Sequence, residues 1–133
     1  MKEQLEPSRH RVVVGDVELR PVVTSAGGTR FDIVLGEDYA GWLQLTRAQE
    51  AVRLSGEVFQ PYRGRGVATA AVATVCRIEQ ITMGIAVLEA FVPSALGAAH
   101  RVLEANGFTV ADLRAEPLRF ELDLTTWSGS SAR

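Results

Sequence analysis

The sequence predicts a mixed α/β (α+β) domain in which a single sheet is crossed by two helices. Three observations carry this. Short apolar segments punctuated by Gly, Asp and Pro alternate between Arg11 and Phe59, at the strand period. The texture then switches to helical spacing from Val67 onward. Finally, a second helical stretch stops at Gly107 and is followed by two more strand-like segments, giving the order β-β-β-β-α-β-α-β-β.

Taken in order, Arg11 to Val23 is strand-forming; either Gly15-Asp16 turns a hairpin or Asp16 opens a single first strand. Gly27-Gly28 marks a loop between Ser25 and Thr29. Arg30 to Leu35 alternates as a strand, Gly36-Glu37-Asp38 turns, and Tyr39 to Thr46 returns as its hairpin partner. Ala51 to Phe59 is a further strand, ended by Pro61. Val67, Ala71, Val75, Ile78 and Thr82 form one face of a helix, with Gly84 as its stop. Ile85 to Val92, apolar between Gly84 and Pro93, fits a buried strand. Ser94 is placed to cap a second helix from about Ala95 to Asn106. Leu96, Ala99 and Leu103 share its inner face, and Gly107 is the left-handed residue past its end. Phe108 to Leu113 and Leu118 to Leu124 close the domain as strands, the latter with Leu118, Phe120, Leu122 and Leu124 on one face. Residues 1–10 and 128–133 are polar and are expected to be flexible tails around one domain at 11–127.

Composition narrows the function. With 133 residues, 47% hydrophobic and 23% charged, the chain suits one soluble domain with one core. A net charge of -2 gives no reason to expect nucleic acid or an anionic membrane as partner. The single cysteine, Cys76, permits no intramolecular disulfide and no Cys-based zinc site; on the helix it is expected to be a small core residue. No apolar run reaches the roughly 18 residues of a membrane span, and Met1 to His10 is too polar for a secretory signal. A cytoplasmic enzyme or binding domain is the expectation.

The chemistry concentrates in Gln60-Pro61-Tyr62-Arg63-Gly64-Arg65-Gly66-Val67-Ala68-Thr69, between a strand and a helix. Two glycines in three residues let the backbone turn sharply and approach a ligand. The free N–H groups of the helix's first turn, with its dipole, make an anion site, and Arg63 and Arg65 add positive charge. The alternative is a tight turn with incidental arginines. A Walker loop is excluded by the missing lysine, and a dinucleotide fingerprint by Thr69 standing where a third glycine belongs.

Arg63-Gly64-Arg65-Gly66-Val67-Ala68 resembles the Gln/Arg-x-x-Gly-x-Gly/Ala signature of the GNAT N-acetyltransferases. The longer Gly-Arg-Gly-Val-Ala-Thr-Ala-Ala-Val run is similar to the ribosomal-protein N-terminal acetyltransferase branch, as is Arg101-Val102-Leu103-Glu104-Ala105-Asn106-Gly107-Phe108 downstream. The resemblance covers about Phe31 to Leu124 and implies a mostly antiparallel sheet of six to seven strands, splayed between the strands Ala51 to Phe59 and Ile85 to Val92. It implies acetyl-CoA as cosubstrate. Backbone groups of Gly56, Glu57 and Val58 would hold the pantetheine amides, and those from Arg63, Gly64, Arg65, Gly66, Val67, Ala68 and Thr69 the diphosphate.

The chain departs from this pattern where transfer would occur. An Asn, a Ser and a Tyr common in the family fall at Leu96, Ala99 and Leu103. The two helices that wall the family's acceptor site have no room in Thr24 to Thr29, so either the site is open or a second copy completes it as a homodimer. A lysine-like amine with pKa near about 10.4 needs a base, an α-amine near about 8 less so. Glu89, flanked by Leu88, Ala90 and Phe91, is the preferred candidate and Glu57 the second; each is alternatively a structural carboxylate. His100, beside Ala99, is a candidate proton donor or a plain surface histidine. Tyr62 is a candidate cofactor contact or loop cap. Trp42 and Trp127 are expected to pack, with Trp42 also a candidate for the acceptor side. The expected function is N-acetyl transfer from acetyl-CoA to a primary amine, of a small molecule or a peptide or protein N-terminus. The alternative is a non-catalytic acyl-CoA-binding protein acting as sensor or partner subunit, and a third reading is an interaction domain with no CoA site. No metal is expected.

Overall fold

The computed structural model describes residues 12–14, 17–22, 28–78 and 86–127. Five strands open the chain: β1 (Val12–Val14), β2 (Val17–Val22), β3 (Thr29–Leu35), β4 (Asp38–Ala48) and β5 (Ala51–Val58). A 3-10 turn at Gln60–Tyr62 leads into helix α1 (Val67–Ile78), followed by β6 (Val87–Val92), α2 (Gly97–Ala105), β7 (Thr109–Asp112) and β8 (Leu118–Asp123). The strands form one sheet in the order β1-β2-β3-β4-β5-β6-β8-β7. Every adjacent pair is antiparallel except β5 and β6, which the crossover through α1 makes parallel.

The expected order of strands and helices holds, with eight strands rather than six to seven. The extra one is the three-residue edge strand β1, which pairs with β2 from Val12↔Leu19 to Val14↔Val17, as the hairpin alternative required. The Gly15-Asp16 turn, Thr82, Gly84 and both terminal segments lie outside the described residues. β2 and β3 also pair directly, from Val17↔Leu35 to Val22↔Arg30, with six residues, 23–28, between them in sequence.

Alternation decides which face each strand buries. Leu19, Phe31, Ile33, Leu43, Leu45, Val52, Leu54, Leu88, Ala90, Phe120 and Leu122 are buried in one cluster with Val67, Ala71, Val75 and Ile78 of α1 and Leu103 of α2. α1 packs on β1, β2, β5 and α2, so both helices lie on this face. Cys76 is fully buried within it. The opposite face, with no described helix on it, presents Arg30, Asp32, Trp42, Gln44, Arg53, Glu89, Phe91, Arg119 and Glu121.

One cap is not where the sequence placed it. α2 starts at Gly97 with Leu96 as N-cap and no side-chain capping bond, and Ser94 does not cap it. Pro93 to Leu96 forms a turn first, closed by Leu96 N–H donating to the Pro93 carbonyl (3.0 Å). Ser94 instead gives its backbone N–H to the Glu116 carboxylate (3.2 and 3.3 Å). Leu96 therefore lies outside the helix and is exposed, while Leu103 is buried and Ala99 half-buried. Gly107 ends the helix in the left-handed region, as expected (φ +92°).

Candidate cofactor and acyl-transfer site

The parallel contact between β5 and β6 is only two registers long, Val52↔Leu88 and Arg53↔Glu89. Beyond it the strands part. β6 continues to Val92 paired with β8, and β5 continues to Val58 paired with β4, so a wedge opens between Leu54–Val58 and Ala90–Val92. Strand edges facing the wedge carry backbone donors and acceptors that no neighbouring strand takes up, which is how an extended amide-bearing ligand is gripped. Gly56, Glu57 and Val58 line it on the β5 side, opposite Leu43, Trp42 and Gly41 of β4.

At the open end of β5 the chain makes its 3-10 turn, with Tyr62 N–H donating to the Phe59 carbonyl (2.9 Å) and Arg63 N–H to that of Gln60 (3.2 Å). Gly64 and Gly66 then take φ of +78° and +79°, a conformation that costs an L-residue roughly 1–2 kcal/mol. A Cβ on either would meet nothing within 4 Å, so both face open space. The Gly66 carbonyl accepts the first helical bond, from Ala70 N–H (3.0 Å). This leaves the N–H groups of Val67, Ala68 and Thr69 without helical acceptors. No acidic residue occupies that first turn. Arg65 is exposed, held by the Pro61 carbonyl (3.4 Å) and lying 5.8 Å from the Tyr62 ring centroid. Arg63 reaches back instead: its Nε donates to the Val58 carbonyl (2.7 Å) and its terminal nitrogen lies 3.7 Å from Glu57.

The three candidate acid–base residues do not converge. Glu89 lies on the face away from the helices at the wedge's vertex, its side chain 12% exposed. Its environment is not the apolar one suggested by Leu88 and Ala90, because strand alternation sends those neighbours to the opposite face. Arg53 holds Glu89 by two bonds (3.0 and 3.2 Å), and Arg119 adds a contact at 3.9 Å. Glu57 shares that face but sits at the open end, half exposed, with Arg63 as its charged neighbour. His100 is on the helical face, half-buried against Phe120 (5.3 Å between ring centroids), with Nε2 3.1 Å from the Pro93 carbonyl. A carbonyl only accepts, so Nε2 carries the proton there.

Other residues at the site were not singled out by sequence. Arg53 spans Glu89 and the Phe91 ring (4.6 Å), and Arg119 is held by Glu121, which raises its pKa further above its ordinary value. Asn106 is wholly buried and bonds to the first turn of α1. Their common signal, polar groups inside apolar runs, does not name partners that are 30 or more residues away. An open groove of about 550 Å³ lies over the vertex, lined by Glu50, Arg53, Val87, Glu89, Phe91 and Glu121 among others. Among the described residues no cluster of His, Cys, Asp or Glu could hold a metal, and no helix is long and apolar enough to cross a membrane.

A mostly antiparallel sheet parting at its one parallel pair, with a glycine turn opening a helix at the mouth, is the fold of the GNAT acetyltransferases. Solved structures sharing it include Mycobacterium smegmatis RimJ in complex with CoA-disulfide: TM-score 0.68, 20% identity, covering 79% of this chain and 57% of that one. The ribosomal-protein-S5-alanine acetyltransferase from Vibrio fischeri gives TM-score 0.66 at 14% identity, over 77% of this chain and 64% of its own. RimL, a ribosomal L7/L12 alpha-N-protein acetyltransferase, gives 0.73 at 12% identity, over 85% and 96%. The chain thus spans less than two thirds of the first two. No protein-family model and no curated protein matches it.

Proposed function

We propose that this protein binds acetyl-CoA in the β5–β6 wedge and transfers the acetyl group to a primary amine. The observation that carries this is the continuity of three parts: a wedge of free strand edge, an open left-handed glycine turn and the unpaired N–H groups of α1. The fit to CoA is supported at Gly64 and Gly66, where open space lies in the direction a side chain would have filled. Val67, Ala68 and Thr69 would hold the diphosphate through their N–H groups, with Arg65 beside it; Gly56 to Val58 would hold the pantetheine amides.

In the reaction the amine nitrogen attacks the thioester carbonyl, the C–N bond forms, the C–S bond breaks, and the amine proton ends on solvent or the departing thiolate. Backbone N–H groups near Val58 polarise the carbonyl oxygen. Glu57, half exposed at the wedge, is the carboxylate available to take the proton through water. Glu89 is held by Arg53 through Oε2, with Arg119 3.9 Å from Oε1, and lies at the vertex rather than at the open end. His100, on the helical face, has its N–H directed at the Pro93 carbonyl just past β6. Positioning then supplies most of the acceleration, since a thioester is already activated. The acceptor would approach from the helix-free face, the face on which Glu57 lies at the open end of the wedge. In a homodimer a second copy would close that face, and sedimentation distinguishes the two forms.

A second reading, CoA binding without transfer, is favoured by Leu96, Ala99 and Leu103, none of which carries a hydroxyl or amide. The test is calorimetric titration with acetyl-CoA, followed by thiol release against a panel of primary amines. Arg65→Glu swaps two charge units beside the diphosphate and disturbs little else. It should weaken binding at least about tenfold, as a change of two units against a single phosphate charge at about 6 Å in a water-like dielectric amounts to roughly 1.4 kcal/mol. Binding without thiol release establishes the second reading. No heat and no thermal shift removes both.

A further inference from the structure

Asn106 follows the last residue of α2 and is wholly buried. Its Nδ2 donates to the Val102 carbonyl one turn back (3.0 Å) and to the Thr69 carbonyl of α1 (3.3 Å). Its backbone carbonyl accepts the indole N–H of Trp127 (3.0 Å), and the Trp127 ring lies under Arg77 of α1 (5.7 Å). The two carbonyls facing the amide fix its orientation, because turning it over would set Oδ1 against both as acceptor against acceptor. In this orientation Oδ1 has no hydrogen-bond partner among the described residues. An apolar side chain would fill the space without leaving that acceptor buried. What the amide adds is direction, since a hydrogen bond between two helices sets their register where apolar contact lets them slide.

Thr69 belongs to the turn of α1 whose N–H groups form the proposed diphosphate seat. We infer that Asn106 is a positioning residue for the CoA diphosphate: it ties that turn to the end of α2, so that the N–H groups of Val67, Ala68 and Thr69 stay aimed at one point. Trp127 fixes Asn106 from behind. The inference rests on the CoA reading above and adds to it a residue that touches no ligand.

The test uses Asn106→Ser. A serine hydroxyl can still bond the carbonyl four residues back, here Val102, but is too short to reach Thr69. Acetyl-CoA and acetyl-pantetheine, which lacks the diphosphate, are titrated separately by calorimetry. The Ser variant should bind acetyl-CoA about fivefold more weakly, the effect of one hydrogen bond, and acetyl-pantetheine as tightly as wild type. If it does not fold, Trp127→Phe keeps the ring, removes the N–H and should show the same selective loss. Equal weakening toward both donors, or none toward either, overturns the inference while leaving the CoA reading intact. A wild-type protein that binds no acetyl-CoA overturns both.

Discussion

Asp123, at the end of β8, shows how much one side chain settles locally. It accepts from the Thr125 hydroxyl (2.6 Å) and the Thr125 N–H (2.9 Å), and these bonds, the hydroxyl first, hold its carboxyl below the ordinary aspartate range. A pKa depressed in the folded state gives stability that is fully present above the unfolded pKa and lost as pH falls through the folded one. Thr125→Ala should move the Asp123 carboxyl titration, followed by NMR, upward toward the ordinary value, the N–H bond remaining. The variant should be less stable at neutral pH and converge on wild type in acid, where Asp123 is protonated in both. An unmoved titration would mean the hydroxyl contributes nothing. Such bonds across two residues are legible in sequence as Asp-x-Thr. Glu89 is the contrary case: its strand and parity follow from Ile85 to Val92, but Arg53 lies 36 residues back and meets it only through the β5–β6 register.

Elements are placed by their neighbours as much as by their own residues. The strands from Arg30 onward and both helices could be read from period and punctuation, and the glycine turn from its spacing. The bulge in β4 could not, because it exists only in the pairing: the β3 register shifts between Ile33 and Val34, opposite Gly41 and Tyr39. That shift lets the Ala40 carbonyl accept the Phe59 N–H (2.8 Å), tying β4 to the segment just past β5. The cap of α2 escaped for a similar reason, since Glu116 claims the Ser94 N–H from a distant loop. The bulge also explains Gly41, where a Cβ would lie 2.1 Å from the Glu57 carbonyl and 2.9 Å from the Val58 Cα. Gly41→Ala must therefore push β4 away from the end of β5 that lines the wedge. Overpacking of this kind costs about 1–3 kcal/mol, measurable by urea unfolding, and acetyl-CoA affinity should fall with it. Stability equal to wild type would show that the two strands separate here without strain.

Across the whole molecule the sheet is asymmetric, with helices and apolar packing on one face and ion pairs on the other. On the open face Arg53, Glu89, Arg119 and Glu121 run across β5, β6 and β8, while Arg30 lies over Trp42 (4.8 Å to the ring centroid) and near Asp32 (3.8 Å). No described helix lies on this face, and charged side chains laid over the strands shield it. Such a network is partly exposed: Arg53 keeps 49% of its side-chain surface, whereas Glu89 keeps 12%. Breaking it at Glu89 takes the carboxylate from Arg53, while Arg119 keeps Glu121, and water reaches both guanidinium groups. The cost of Glu89→Gln should thus be about 1 kcal/mol, at the upper end for exposed pairs and well short of a buried one. Because the Debye length falls to about 3 Å in 1 M salt, the difference between wild type and variant should shrink there. Urea unfolding at low and high salt measures both. A loss of several kcal/mol that salt does not reduce would mean that this face is dry, as it would be under a second copy of the chain.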